Sequence, residues 1–164
     1  FSPGDGEELL VRQKEYYDGA LPSGNSVALQ NMLRLMHITR DQGLGKKALD
    51  LSRAAFAAAG KVPAGHTMLL CALDYELGPI QEIALVGEAA DSGIIEMLRS
   101  IRSRFLPNKA VVLVSGRETG EVIPNADDLV QLDGKATAYI CSDHVCQLPT
   151  TNPEMMTDLL NKNG

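Results

Sequence analysis

The Gly78-Pro79 pair divides the chain into two stretches whose apolar residues recur at different periods. Upstream of it the period is helical. From Ser26 to about Ile38, Leu29, Met32, Leu33 and Met36 fall at the i, i+3, i+4, i+7 spacing of one helix face, and Ala28 and Leu35 widen that face. The stretch "TRDQGLG" interrupts the period with its glycines. "KKALDLSRAAFAAAG" resumes it through Ala48, Leu51, Ala55 and Ala59, with Gly60 as the expected C-cap. A third helix follows Pro63, with Leu69, Ala72, Leu73 and Leu77 as its apolar face and Cys71 as a buried apolar thiol within it. Proline cannot continue a helix and restricts the residue before it, so Gly78-Pro79 is the stop. Helices joined by such short connections predict antiparallel hairpins over residues 18–78.

Downstream the apolar runs become short. "QEIALVG" (81–87) and "KAVVLVSG" (109–116) read as buried strands, and "SGIIEMLRSIRSRF" (92–105) between them is helical through Ile94, Met97, Leu98 and Ile101. Strand, helix, strand is the pattern of a parallel βαβ unit. After a loop, "ATAYIC" and "VCQLPT" flank "SDH", and "NPEMMTDLLNKN" closes the chain as a helix, with Asn152 or Thr151 as N-cap and Pro153 at the first helical position. The expected fold class is therefore α/β: N-terminal helical hairpins, then a small mixed-sheet domain over 79–164. Its element order, β-α-β-β-β-α, is that of a thioredoxin-like sheet. Residues 1–17 form an extended leader in this reading.

A chain of 164 residues, 45% of them hydrophobic, can bury a core, and a formal net charge of −6 with no basic stripe longer than Lys46-Lys47 excludes a polyanion partner such as nucleic acid. No apolar run approaches the roughly 20 residues of a membrane span, and no secretory leader is recognisable. Three cysteines are too few for a secreted disulfide scaffold, which makes the cytoplasm the default location.

Few residues carry recognisable chemistry. If Asp143 and His144 are the central residues of a tight hairpin, Cys141 lies opposite Cys146 as a non-hydrogen-bonded pair with Cα atoms about 4.5 Å apart. Reduced strand thiols, a labile disulfide used as a redox couple, and a metal site with His144 all stay open. The zinc version is short of ligands, since only two sulfurs and one imidazole are in place. His37 and His66 have no partner at metal-ligand spacing and are expected to be packed or surface imidazoles. "GLGKK" lacks the glycine and hydroxyl positions of a phosphate loop, and "GEAADSG" reads as N-capping by Asp91 or Ser92. No Gly-x-Ser-x-Gly elbow is present. None of these motifs implies a cofactor or a metal.

"DGALPSGNS" (18–26) is richer than a cap requires. Ser23 or Asn25 suffices to cap the helix that follows, which leaves Asp18, both glycines and the proline to explain. Polar groups gathered at a helix N-terminus also suit a sugar or carboxylate, so Asp18, Ser23, Asn25 and Ser26 are candidate ligand-binding residues.

Three stretches, "YYDGALPSGNSVALQNMLRLMHIT", "PNKAVVLVSG" and "DGKATAYICSDHVCQLPTTNPEMM", resemble the C-terminal portion of thioredoxin-domain-containing proteins of the YyaL and spermatogenesis-associated type. The resemblance runs over most of the chain. It implies an upstream thioredoxin-like domain, holding the family's own cysteine motif, followed by a helical region similar to the α/α toroids of six-hairpin glycosidases and N-acylglucosamine 2-epimerases. On that reading this chain holds the last hairpins of the toroid, is non-catalytic alone, and contributes hydrogen-bond partners to a carbohydrate-like cavity completed by the remainder of the parent chain. Apolar faces meant for missing neighbours should then make it self-associate or leave it only marginally stable. The alternative is a thiol/disulfide module using Cys141 and Cys146.

Overall fold

The computed structural model describes residues 14–116, 119, 122–124, 126–142 and 145–162. These comprise five α-helices and a mixed sheet of four strands, with the helices leading. They divide into two compact units: the described residues of Phe1–Leu33 with Gln42–Glu76, and those of Arg34–Asp41 with Leu77–Gly164.

The first unit is helical. It holds most of α1 (Gly24–Thr39), all of α2 (Gln42–Lys61), a 3-10 turn at Pro63–Gly65, and α3 (Thr67–Leu77) up to Glu76. Leu29 and Leu33 of α1, Ala48, Ser52, Ala55 and Ala59 of α2, and Leu69, Ala72 and Tyr75 of α3 are buried. Three sequence expectations need correction. The glycines of "TRDQGLG" do not break the helix, because α2 runs through Gly43, Gly45 and Gly60 and is interrupted only at Arg40-Asp41. The reversal there is made by Arg40 in the left-handed region, at φ 58°, so no glycine is needed to turn the chain. Leu77 is 85% exposed, and Tyr75, fully buried, takes the inward position instead. Cys71 is exposed rather than buried, since Leu69, Ala72 and Tyr75 define the inner face and Cys71 lies about 100° off Ala72 around the helix.

In the second unit β1 (Gln81–Val86) is the spine. It pairs in parallel with β2 (Lys109–Val114) and antiparallel with β3 (Thr137–Ser142), which carries the two-residue β4 (Val145–Cys146), giving the order β2-β1-β3-β4. The last strand is shorter than "VCQLPT" suggested. Thr150 returns to pair with Ala138, one residue out of the Cys141–Cys146 register, and Pro149, which has no N–H, falls in the intervening slack. One sheet face packs Ile83, Leu85, Ala138 and Ile140 against Ile94, Met97 and Ile101 of α4 (Ser92–Arg102) and Met156 and Leu160 of α5 (Pro153–Lys162). Asp91 caps α4 by accepting from Gly93 N at 2.7 Å, and Asn152 caps α5 by accepting from Glu154 N at 2.7 Å. Strand alternation sends Glu82, Ala84, Ala110, Val112, Tyr139 and Cys141 to the opposite face. That face carries Ile123, Ala126 and Leu129 from the segment between β2 and β3.

Candidate functional site

The structure brings Asp18, Ser23 and Ser26 together, buried, at the start of α1. Ser23 is the N-cap: its Oγ accepts from Ser26 N at 3.1 Å and lies 2.8 Å from Ser26 Oγ. Asp18 then caps two helices at once. Its Oδ1 accepts from Ser23 N at 2.8 Å, and its Oδ2 accepts from Leu69 N at 3.0 Å. Leu69 is in the first turn of α3, where the preceding residue, His66, supplies no capping oxygen; its Nδ1 is instead 2.8 Å from Val62 O. Asp18 N donates to Gly65 O at 2.7 Å, closing the knot. Burial opposes the charge on Asp18, but the amides of Ser23, Leu69 and Met68 and the Ser26 hydroxyl outweigh it and hold the carboxyl below its ordinary range. Asn25 turns away and donates from Nδ2 to Glu15 O at 2.7 Å.

The second cluster lies on the open sheet face of the other unit. Cys141 and Cys146 face each other and are disulfide-bonded, with Cα atoms 3.9 Å apart. The flanking pair bonds through the main chain, Gln147 N donating to Ile140 O at 2.9 Å, so the cysteines occupy the close, non-hydrogen-bonded position. Cys146 is exposed and Cys141 half-buried. His144, the third member of the metal reading, and its neighbour Asp143 lie outside the described residues. The bridge borders a cleft of about 240 Å³ with apolar walls from Ala84, Val112, Ile123 and Leu129. Tyr139 also lines the cleft, its hydroxyl held by donating to Val130 O at 2.8 Å.

The charged end of the cleft escaped sequence reasoning. Glu82, opposite Cys141 in the β1–β3 register, accepts from Arg40 Nη1 at 2.9 Å on Oε1 and from Nη2 on Oε2, and His37 Nδ1 lies 3.1 Å from Oε1. Burial works against the Glu82 charge, and the bonds and charges of His37 and Arg40 overcome it, lowering the carboxyl below its ordinary value. His37 is thus packed, as expected, but against a carboxylate. The only signal in the sequence was an acidic residue, Glu82, next to the apolar run of the strand "QEIALV". Among the described residues no helix is long and apolar enough to cross a membrane.

No family model matches the chain, and no solved structure matches it. Spermatogenesis-associated protein 20 of Homo sapiens is 29% identical over 159 residues, 95% of this chain, and that of Rattus norvegicus is 28% identical over 96% of it. An uncharacterised protein of Caenorhabditis elegans is 27% identical over 95% of the chain. The chain spans about a fifth of the length of these curated relatives, 20% of the human protein and 21% of the nematode one. Over nearly its whole length, then, the chain is similar to part of spermatogenesis-associated protein 20, which fits the spermatogenesis-associated side of the resemblance its motifs suggested.

Proposed function

We propose that the sheet unit is a thiol/disulfide module whose Cys141–Cys146 bridge exchanges with a dithiol partner. The observation that carries this reading is an accessible bridge at the border of a cleft, with Cys146 exposed and Cys141 withdrawn. A partner thiolate attacks Cys146 Sγ, the S–S bond breaks, and its electron pair leaves on Cys141, which takes up a proton. The partner's second thiolate then attacks the mixed disulfide and releases Cys146 as a thiolate, which is protonated in turn. Two electrons and two protons pass from the dithiol to the protein, and the partner departs as a disulfide. A glutathione redox titration with thiol trapping and peptide mapping tests it. A reversible midpoint near the cellular poise supports the module, and a pair that stays bridged or stays free at every ratio removes it.

A second reading rests on the helical unit: an accessory region of a longer thioredoxin-domain protein, in which Asp18, Ser23, Asn25 and Ser26 border a sugar-like cavity in a toroid. It is favoured by Gln30, one turn beyond Ser26 on α1, whose buried Oε1 has no hydrogen-bond partner among the described residues. Against it, both carboxylate oxygens of Asp18 already hold main-chain amides. Glycan binding by the full-length protein that is lost in Asn25→Ala and Gln30→Ala variants supports this reading; binding that persists in both sinks it.

A further inference from the structure

Across the sheet, Ala110, Glu82, Cys141 and Cys146 stand in one row, each directly opposite the next. Directly opposed residues on one face of an antiparallel pair have Cβ atoms about 5 Å apart, so Glu82 is the residue of β1 that stands across from Cys141, whose sulfur leaves when the bridge opens. Behind that carboxylate stand two basic groups, the Arg40 guanidinium in a two-point contact and the His37 imidazole. Among the described residues the remaining titratable group on the cleft wall is Tyr139, held by Val130, and Lys109, beside Ala110 on β2, gives its Nζ to Leu106 O at 2.8 Å; Asp143 and His144 of the Cys141–Cys146 hairpin lie outside the described residues. Among the described residues, the charged and basic groups that line the cleft with Cys141 are Glu82, Arg40 and His37.

We infer that Glu82 is the positioning residue that governs the Cys141 thiolate, opposing it by its own charge while holding in place the two basic groups that favour it. The inference rests on the exchange reaction proposed above. In the closed bridge Cys141 carries no charge, and Glu82, Arg40 and His37 satisfy one another. When the bond breaks, the new thiolate faces Glu82 across the paired strands, and Arg40 through its contact with that carboxylate. Removing the carboxylate frees the Arg40 guanidinium to stabilise the thiolate, and removing the guanidinium leaves the carboxylate less compensated. At about 5 Å in a partly solvated site, one unit charge is worth about one pH unit in a neighbour's titration, or about tenfold in thiolate population. A lower thiol pKa also makes a faster leaving group.

The test compares E82Q and R40Q, two variants that break the same ion pair. In the reduced protein, and also with Cys146→Ser so that Cys141 stands alone, the pH dependence of Cys141 alkylation is followed by peptide mapping. Opening of the bridge by a small dithiol at pH 7 is timed in parallel. E82Q is expected to lower the Cys141 titration midpoint by about one pH unit and to speed opening, while R40Q raises the midpoint and slows opening. Shifts of the same sign, or no shift, overturn the inference, because loss of a merely structural ion pair acts alike whichever partner is removed. The Arg40 side chain is 44% exposed, so R40Q is expected to fold and gives a reading even if E82Q does not. The alkylation profile with Cys146→Ser needs no exchange reaction, so it separates failure of this inference from failure of the redox module.

Discussion

Replacing Asp18 by alanine should cost more stability than any other single change at the start of α1. The carboxylate accepts two main-chain hydrogen bonds, from Ser23 N at 2.8 Å and Leu69 N at 3.0 Å, and the residue is only 6% exposed. A hydrogen bond to a charged group contributes about 1.5–3 kcal/mol, and a buried donor left unpaired costs about as much as the bond was worth. Asp18→Ala is therefore expected to lose about 3–5 kcal/mol. Asp18→Asn should lose about half of that, because its carbonyl oxygen can serve one amide while its NH₂ faces the other. The pH dependence separates this account from a packing defect. The folded-state pKa is depressed, so the contribution is complete above the ordinary aspartate range and is lost as pH falls through the lower, folded value. The deficit of Asp18→Ala relative to the parent should then be largest at neutral pH and shrink in acid. Urea titrations followed by circular dichroism at pH 7 and near pH 3 measure it. A deficit under about 1 kcal/mol at pH 7, or one unchanged by acid, refutes the double-capping argument.

Three further outcomes are expected. A Cβ at Gly65 would lie 2.6 Å from Tyr17 Cε2, but Tyr17 is 57% exposed and its ring can swing aside, so Gly65→Ala should cost about 1 kcal/mol or less, and a double-mutant cycle with Tyr17→Ala should recover part of the loss; additive effects would rule out the clash. Cys71 is free and exposed, so a maleimide should label it in the folded protein while Cys141 and Cys146 stay unlabelled until a reductant is added; labelling of either bridge cysteine without reductant contradicts the assignment. Along α2, Leu49 and Phe56 are 40% and 68% exposed two turns apart, an apolar stripe through which the chain is expected to self-associate. Sedimentation should show a concentration-dependent mass that falls toward the monomer in Phe56→Ser, and a mass insensitive to this change excludes the stripe.

The α/β class and the two modes of folding were legible because local periodicity reports which side of an element is apolar. Ile94, Met97 and Ile101 recur at helical spacing and are buried against the sheet, and the caps at Asp91 and Asn152 were visible as oxygen-bearing side chains before an apolar helix. The opposition of Cys141 and Cys146 was legible too, since a two-residue turn leaves one register. Where the reading failed, the deciding contact was distant. Glycines in α2 looked like a break because glycine disfavours helix by about 1 kcal/mol, but a helix docked along Ala48, Ser52, Ala55 and Ala59 tolerates that cost.

The two candidate clusters make the same division. In the amino-acid sequence, "DGALPSGNS" already announced a helix start with more polar groups than one cap needs, and the surplus had to be used somewhere. Only the tertiary structure supplied Leu69 N, 51 positions away, as the second claimant on Asp18. Nothing local linked His37 and Arg40 to Glu82, which they meet across 45 and 42 positions, or placed that carboxylate beside the Cys141–Cys146 bridge. Hydrophobic pattern, turn chemistry and capping act over a few residues and are written in the sequence. Charge pairing acts through space, and it is set only once the sheet register and the end of α1 have brought the partners within reach.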